Sequence, residues 1–156
     1  MEGNTRSEKD TRKILIIMFD DYFDGWDVKP SFDKEYISLW SGWLGKSDYH
    51  LLDQVTEEEW SRFNRLISLL SEKCTLGLVD RHKRSIAFPT NIEETFSSYE
   101  DSMNKDSAAF SAYIIEELEC VITEEWDFTY IVWHKGNGAI DLLSSDILRA
   151  NLKQFS

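Results

Sequence analysis

The segment Thr56 to Lys73 leaves this chain the least freedom. Thr56 followed by Glu59 is a capping box, and Glu57, Glu58 and Glu59 oppose the positive end of a helix dipole. Trp60, Phe63, Ile67 and Leu70 then recur at i, i+3, i+7 and i+10, with Leu66 beside them. Lys73 falls at the C-terminal end, where a cation is favoured. A helix with such a stripe must bury it against a second layer of structure.

That layer is expected to be a sheet. Glu119–Thr123 and Phe128–His134 carry the strongest strand signal; in the second, Tyr130, Val132 and His134 alternate with Thr129, Ile131 and Trp133. Cys74–Asp80 and Ser85–Pro89 read as two short strands bracketing Arg81-His82-Lys83-Arg84, the chain's only dense basic run. Lys135-Gly136-Asn137-Gly138 reads as a turn, Ala139–Leu142 as a short strand pairing back, and Ser144 or Ser145 as the start of a closing helix that buries Ile147, Leu148 and Leu152. Earlier, Leu15, Met18, Phe19, Tyr22 and Trp26 share a helical face that starts at Ser7 or Asp10 and ends at Gly25, although Ile14–Ile17 would also suit a buried strand. Pro30 interrupts the chain. Ser31 can then cap a helix over Phe32–Leu44, with Tyr36, Ile37, Trp40 and Trp43 or Leu44 on one face, stopped by Gly45. Asn91–Asp106 reads as loop or broken helix, and Asp106 or Ser107 as the cap of a helix through Leu118 that turns Phe110, Tyr113, Ile114 and Leu118 inward. The expected fold class is α+β: a single globular domain over 1–156, with 1–10 a frayed leader. Helices occupy the N-terminal half; a small, mainly antiparallel sheet with covering helices occupies the C-terminal half.

Composition agrees with one core. The chain has 156 residues, 42% of them hydrophobic, with six Trp, nine Phe and six Tyr, which excludes a disordered acidic tail. Seven Gly and two Pro are too few for an all-β protein turning every ten residues. A net charge of −12 argues against gripping nucleic-acid phosphates, and no direct nucleic-acid binding is expected. The longest apolar run, Ile14–Phe19, is six residues, against about 20 for a membrane span, so a cytoplasmic chain without membrane contact is expected. Cys74 and Cys120 form no CxxC pair and read as reduced residues, at least half buried.

Catalytic patterns are missing. His50, His82 and His134 have no metal-ligand spacing, no phosphate loop or nucleophile elbow is present, and the acids do not follow a calcium-loop pattern. Neither metal nor cofactor is expected. The acids themselves are unusual. Six acids and no Lys or Arg lie between Glu116 and Asp127, and five acids face one Lys29 between Asp20 and Asp33. Ordinary surfaces mix the signs. Aromatics are interleaved here, and rigid aromatic anchors ringed by steering charge have the character of an interface. The partner-binding candidates are therefore Asp20, Asp21, Asp24, Asp27, Glu116, Glu117, Glu119, Glu124, Glu125, Trp126 and Asp127.

Two runs, Asp20-Asp21-Tyr22-Phe23-Asp24-Gly25-Trp26-Asp27 and Ile122-Thr123-Glu124-Glu125-Trp126-Asp127-Phe128-Thr129-Tyr130, give the chain a family character. It resembles the immunity proteins of bacterial toxin–immunity systems such as contact-dependent inhibition. The resemblance implies a non-catalytic protein whose acidic face docks over a basic, nuclease-type toxin domain and blocks it. The competing readings are a nucleic-acid mimic, which regular phosphate-like spacing of acids would favour, and a small enzyme or ligand-binding domain, which a deep apolar pocket would favour.

Overall fold

The computed structural model describes residues 18–104, 110–125 and 127–156. Its strands are β1 (Phe23–Asp24), β2 (Asp27–Val28), β3 (Asp33–Ser38), β4 (Leu76–Asp80), β5 (Ser85–Ala87), β6 (Ala112–Ile115), β7 (Cys120–Glu124), β8 (Thr129–His134) and β9 (Lys153–Phe155). Helices are α1 (Glu57–Ser71), α2 (Tyr99–Met103) and α3 (Asn137–Arg149), residues 18–22 are also helical, and 3₁₀ segments lie at Lys46–Gln54, Ile92–Thr95 and Glu116–Leu118. Seven strands form one sheet in the order β5-β4-β6-β7-β8-β3-β9, each neighbouring pair antiparallel. β1 and β2 form a separate hairpin. The chain is thus mixed helix and sheet, and the sheet is antiparallel.

Helix α1 follows the sequence pattern closely. The Thr56 hydroxyl accepts from the Glu59 amide at 3.1 Å, and Glu59 Oε1 accepts from the Thr56 amide at 3.1 Å. Trp60, Phe63, Ile67 and Leu70 are buried on one face of the sheet, together with Ile37, Tyr113, Ile115, Cys120, Ile122, Tyr130 and Val132. Leu143 and Ile147 of α3 join the same cluster. Lys73, expected at the helix end, reaches across to Asp146 of α3 at 2.7 Å; that carboxylate is wholly buried and also meets Arg149 at 3.4 Å. The opposite face is covered by residues 18–32, through Phe19, Tyr22, Phe23, Val28 and Phe32 packed on Ile86, Ile114 and Val121.

The hairpins β4–β5 and β7–β8 form where the alternating pattern placed them. Several expectations fail. The first helix does not reach Trp26: residues 18–22 are helical, the chain then turns through the β1–β2 hairpin, and the Ile14–Ile17 alternative lies outside the described residues along with the leader. Gly25 supplies a φ of +65° at the hairpin tip rather than a helix stop. Phe32–Leu44 is not a helix but strand β3, held by β8 on one side and β9 on the other, so backbone pairing overrides a short apolar spacing. The helix expected up to Leu118 is strand β6 at Ala112–Ile115, where all four side chains are buried because the strand is covered on both faces; its proposed caps Asp106 and Ser107 lie outside the described residues. Ala139–Leu142 belongs to α3, since Ile140, Leu143 and Ile147 continue a helical period, and Leu148 points outward, 77% exposed. The layout changes accordingly. The sheet has seven strands and draws one, β3, from the N-terminal half, so helices and strands are not divided between the halves.

Candidate functional site

The acids from Glu116 to Asp127 do not make one patch. Strand β7 runs between them, and at about 3.3 Å per residue it holds Glu119 and Glu125 roughly 20 Å apart, at opposite ends of the sheet. Each end collects a different set of partners.

At one end, Asp21, Glu116 and Glu119 gather around Tyr22, Ser31, Lys29 and Lys135. Burial, followed by Glu116 and Glu119, pushes the Tyr22 hydroxyl up to about 12. Lys135 stands 3.6 Å from Glu119 and 5.1 Å above the Phe32 ring. Glu117 turns away and accepts the Thr75 amide at 2.7 Å. Asp20 is not part of this group: it is ion-paired at 2.6 Å to Arg84, in the β4–β5 turn at the far end.

At the other end, Asp24 and Asp27 sit opposite each other across the β1–β2 hairpin, both exposed, with Trp26 half exposed at its tip. The basic turn folds onto this hairpin. The Arg81 guanidinium lies 5.4 Å from the Trp26 ring and 5.6 Å from Phe23, and the His82 ring meets Trp26 edge-on at 4.9 Å. Burial lowers the Arg81 pKa, while Glu125 and Asp27 act to raise it. Burial also raises the Glu125 carboxyl, helped by Asp127 and countered by Arg81.

Glu124 is not a surface residue. It is 6% exposed, facing the α1 side beside Tyr130, and it accepts from Ser97 Oγ at 2.7 Å, the Ser111 amide at 3.3 Å and Ser102 Oγ at 3.4 Å. Burial outweighs those hydrogen bonds and pushes its carboxyl up to about 6. Asp127 is half buried, and Trp126 lies outside the described residues. Of the eleven candidates, Asp21, Asp24, Asp27, Glu116, Glu117 and Glu119 are exposed; Glu119 is ion-paired to Lys135 and Glu117 holds the Thr75 amide.

Sequence reasoning missed the cations that fold back on the acids: Arg81, Arg84, Lys29 and Lys135. The signal was available, because the one dense basic turn and the one acidic hairpin are natural electrostatic partners, but nothing in the spacing placed them together. Among the described residues no group of three or more His, Cys, Asp and Glu side chains could hold a metal ion, and no helix is long and apolar enough to cross a membrane. Cys120 is buried and Cys74 partly so, and both are free thiols. Comparison with protein-family models, with curated proteins and with solved structures yields no match to this chain.

Proposed function

We propose that this chain is a non-catalytic acidic binding protein that neutralises a basic protein partner, and that the partner is a nuclease-type bacterial toxin domain. The supporting observation is the β1–β2 hairpin: a half-exposed Trp26 set between two exposed carboxylates, Asp24 and Asp27, and held by rings and a guanidinium behind it. Aromatic residues that are rigid before binding lose little entropy in an interface. The surrounding charge, part of a net −12, draws a basic partner in by long-range steering.

The test is co-expression. The chain should restore growth to cells that make the basic toxin domain encoded beside its gene, and should co-purify with that domain. Failure of both rescue and complex formation overturns the reading. Within the complex, Asp24→Lys with Asp27→Lys should slow association and flatten its salt dependence, since steering is screened over about 8 Å at physiological ionic strength. Trp26→Ala should instead speed dissociation. Glu124 is unsuited to charge reversal, because a buried ammonium there would destabilise the fold.

A further inference from the structure

Beyond β3 the chain passes through Trp43 and Leu44 into the 3₁₀ segment Lys46–Gln54, and these meet the turn between β7 and β8. Trp43, Leu44, Tyr49, Leu52 and Asp127 line a pocket of about 300 Å³. That is the small end of the range for ligand sites, about 300–1,000 Å³, and suits a single side chain better than a nucleotide. Trp43 is 56% exposed and Tyr49 43% exposed, whereas Leu52 is buried. The Trp43 ring is nonetheless fixed, edge-on to Tyr36 at 4.6 Å and to Phe155 at 5.2 Å.

The fifth lining residue decides the chemistry. Asp127 is half buried; its carboxylate is hydrogen-bonded to the Thr129 side chain and its own backbone amide, and Oδ1 is a buried oxygen with no hydrogen-bond partner among the described residues. No lining residue is cationic. A buried carboxylate oxygen left unpaired is costly, and a donor that carries positive charge relieves that cost best. The aromatic faces are negative and attract the same species. Leu44 and Leu52 offer apolar surface to a methylene stem. An anion would be repelled here, and a neutral apolar group would leave Oδ1 unpaired.

We propose that this pocket binds an organic cation, the guanidinium or ammonium head of an arginine or lysine side chain, with the Asp127 carboxylate as acceptor and the Trp43 and Tyr49 rings as walls. The residue that follows the carboxylate is held through both its backbone and its side chain. Phe128, next in the chain, adopts a φ of +56°, packs its ring against Trp60 at 5.9 Å, and accepts Ser38 Oγ on its carbonyl at 3.1 Å. Burial raises the Asp127 carboxyl despite the opposing hydrogen bonds from the Thr129 side chain and its own backbone amide, and a bound cation would offset that remaining cost. The proposal rests on the reading of the chain as a receptor for a basic protein, and supplies the slot for one basic side chain of that partner.

The experiment is an NMR titration of the isotope-labelled chain with Nα-acetyl-arginine amide and Nα-acetyl-lysine amide, with the neutral isostere Nα-acetyl-citrulline amide as comparison. The Trp43 indole and Asp127 amide signals should shift and saturate with both cations, and the citrulline compound should bind at least tenfold more weakly. Asp127→Asn, nearly identical in shape, should weaken cation binding at least tenfold, as should Trp43→Leu. Should Trp43→Leu fail to fold, Asp127→Asn decides alone. Equal binding of the citrulline and arginine amides, unchanged binding to Asp127→Asn, or shifts confined to the Trp26 hairpin would each overturn the proposal. No partner protein enters this titration, so a negative result leaves the co-expression test standing, and loss of growth rescue leaves the titration unaffected.

Discussion

The two faces of the sheet are built from different materials. On one face, α1 and α3 bury a broad aliphatic and aromatic cluster, locked by the Lys73–Asp146 ion pair and by buried Glu124 with its serines. On the other, a short helical turn and a two-residue-strand hairpin cover a smaller cluster, and much of what holds them is charged: Arg84 on Asp20, Arg81 over Phe23 and Trp26, Lys135 on Phe32. Apolar area removed from water is the main source of stability, at about 25 cal/mol per Å². Exposed ion pairs contribute little, typically about 0–1 kcal/mol. The helix-covered face therefore contributes most of the stability, and the hairpin-covered face, with its exposed Trp26 and carboxylates, contributes less.

Truncation on the helix face gives the largest expected effect. Phe63, wholly buried and 4.8 Å from the Tyr130 ring, should lose about 3–5 kcal/mol of stability on mutation to Ala, measured by urea unfolding. The same change at Phe23 of the opposite face should cost less; equal costs would break the asymmetry.

A smaller effect is expected from Gly77 of β4, on the hairpin-covered face. A methyl group there would come 2.4 Å from Ile86 Cγ2 and 3.3 Å from Phe88 Cε1. Gly77→Ala should cost about 1–3 kcal/mol by overpacking. Because the severe clash is with Ile86, while Phe88 is only tight, Gly77→Ala combined with Ile86→Ala should cost less than the sum of the two single changes. Strict additivity would show that the strand shifts as a unit instead.

Glu124 sharpens the comparison through pH. Its carboxyl is raised from about 4.5 to about 6 in the folded chain, so between those values the native state holds more protons than the unfolded state. Stability from this group therefore rises as pH falls through 6 and is complete below about 4.5; above 6 the buried charge costs roughly 2 kcal/mol relative to that limit. Burial raises Glu125 and Asp127 as well, which adds slope in the same sense. Unfolding midpoints measured at pH 4.5, 5.5 and 7 should show the slope reduced in Glu124→Gln. An unchanged slope would assign the titration to the other two acids.

Local rules made some elements legible. Thr56 with Glu59 announced α1 because capping is a matter of four adjacent residues, and Tyr130, Val132 and Ile131 announced β8 because a period of two needs no distant partner. Ala112–Ile115 and Ala139–Leu142 were misread for a common reason: a stretch of only four residues, Ala-Tyr-Ile-Ile in one case and Ala-Ile-Asp-Leu in the other, is too short for its period to separate strand from helix turn, and only the neighbouring elements choose. Phe32–Leu44 was misread because Tyr36 and Ile37 lie on opposite faces of a strand that pairs with residues about a hundred positions away. The candidate surface was legible as charge and not as geometry. Its acids are adjacent in sequence, yet β7 separates them along its length, sends Glu124 inward and leaves Glu119 and Glu125 at opposite ends.

The sequence alone determined the class of this protein: an aromatic-rich, acidic chain with one strongly capped amphipathic helix and several short strands must fold as mixed helix and sheet, because those patterns are local and their apolar faces need a common core. Tertiary structure decided which charges face solvent. Arg84 pairs with Asp20, some sixty positions upstream, Arg81 lies in the field of Glu125 and Asp27, and Asp127 meets Trp43 and Tyr49 across the end of the sheet. Electrostatic energy depends on distance in space and on burial, and neither is written in the order of residues along a chain.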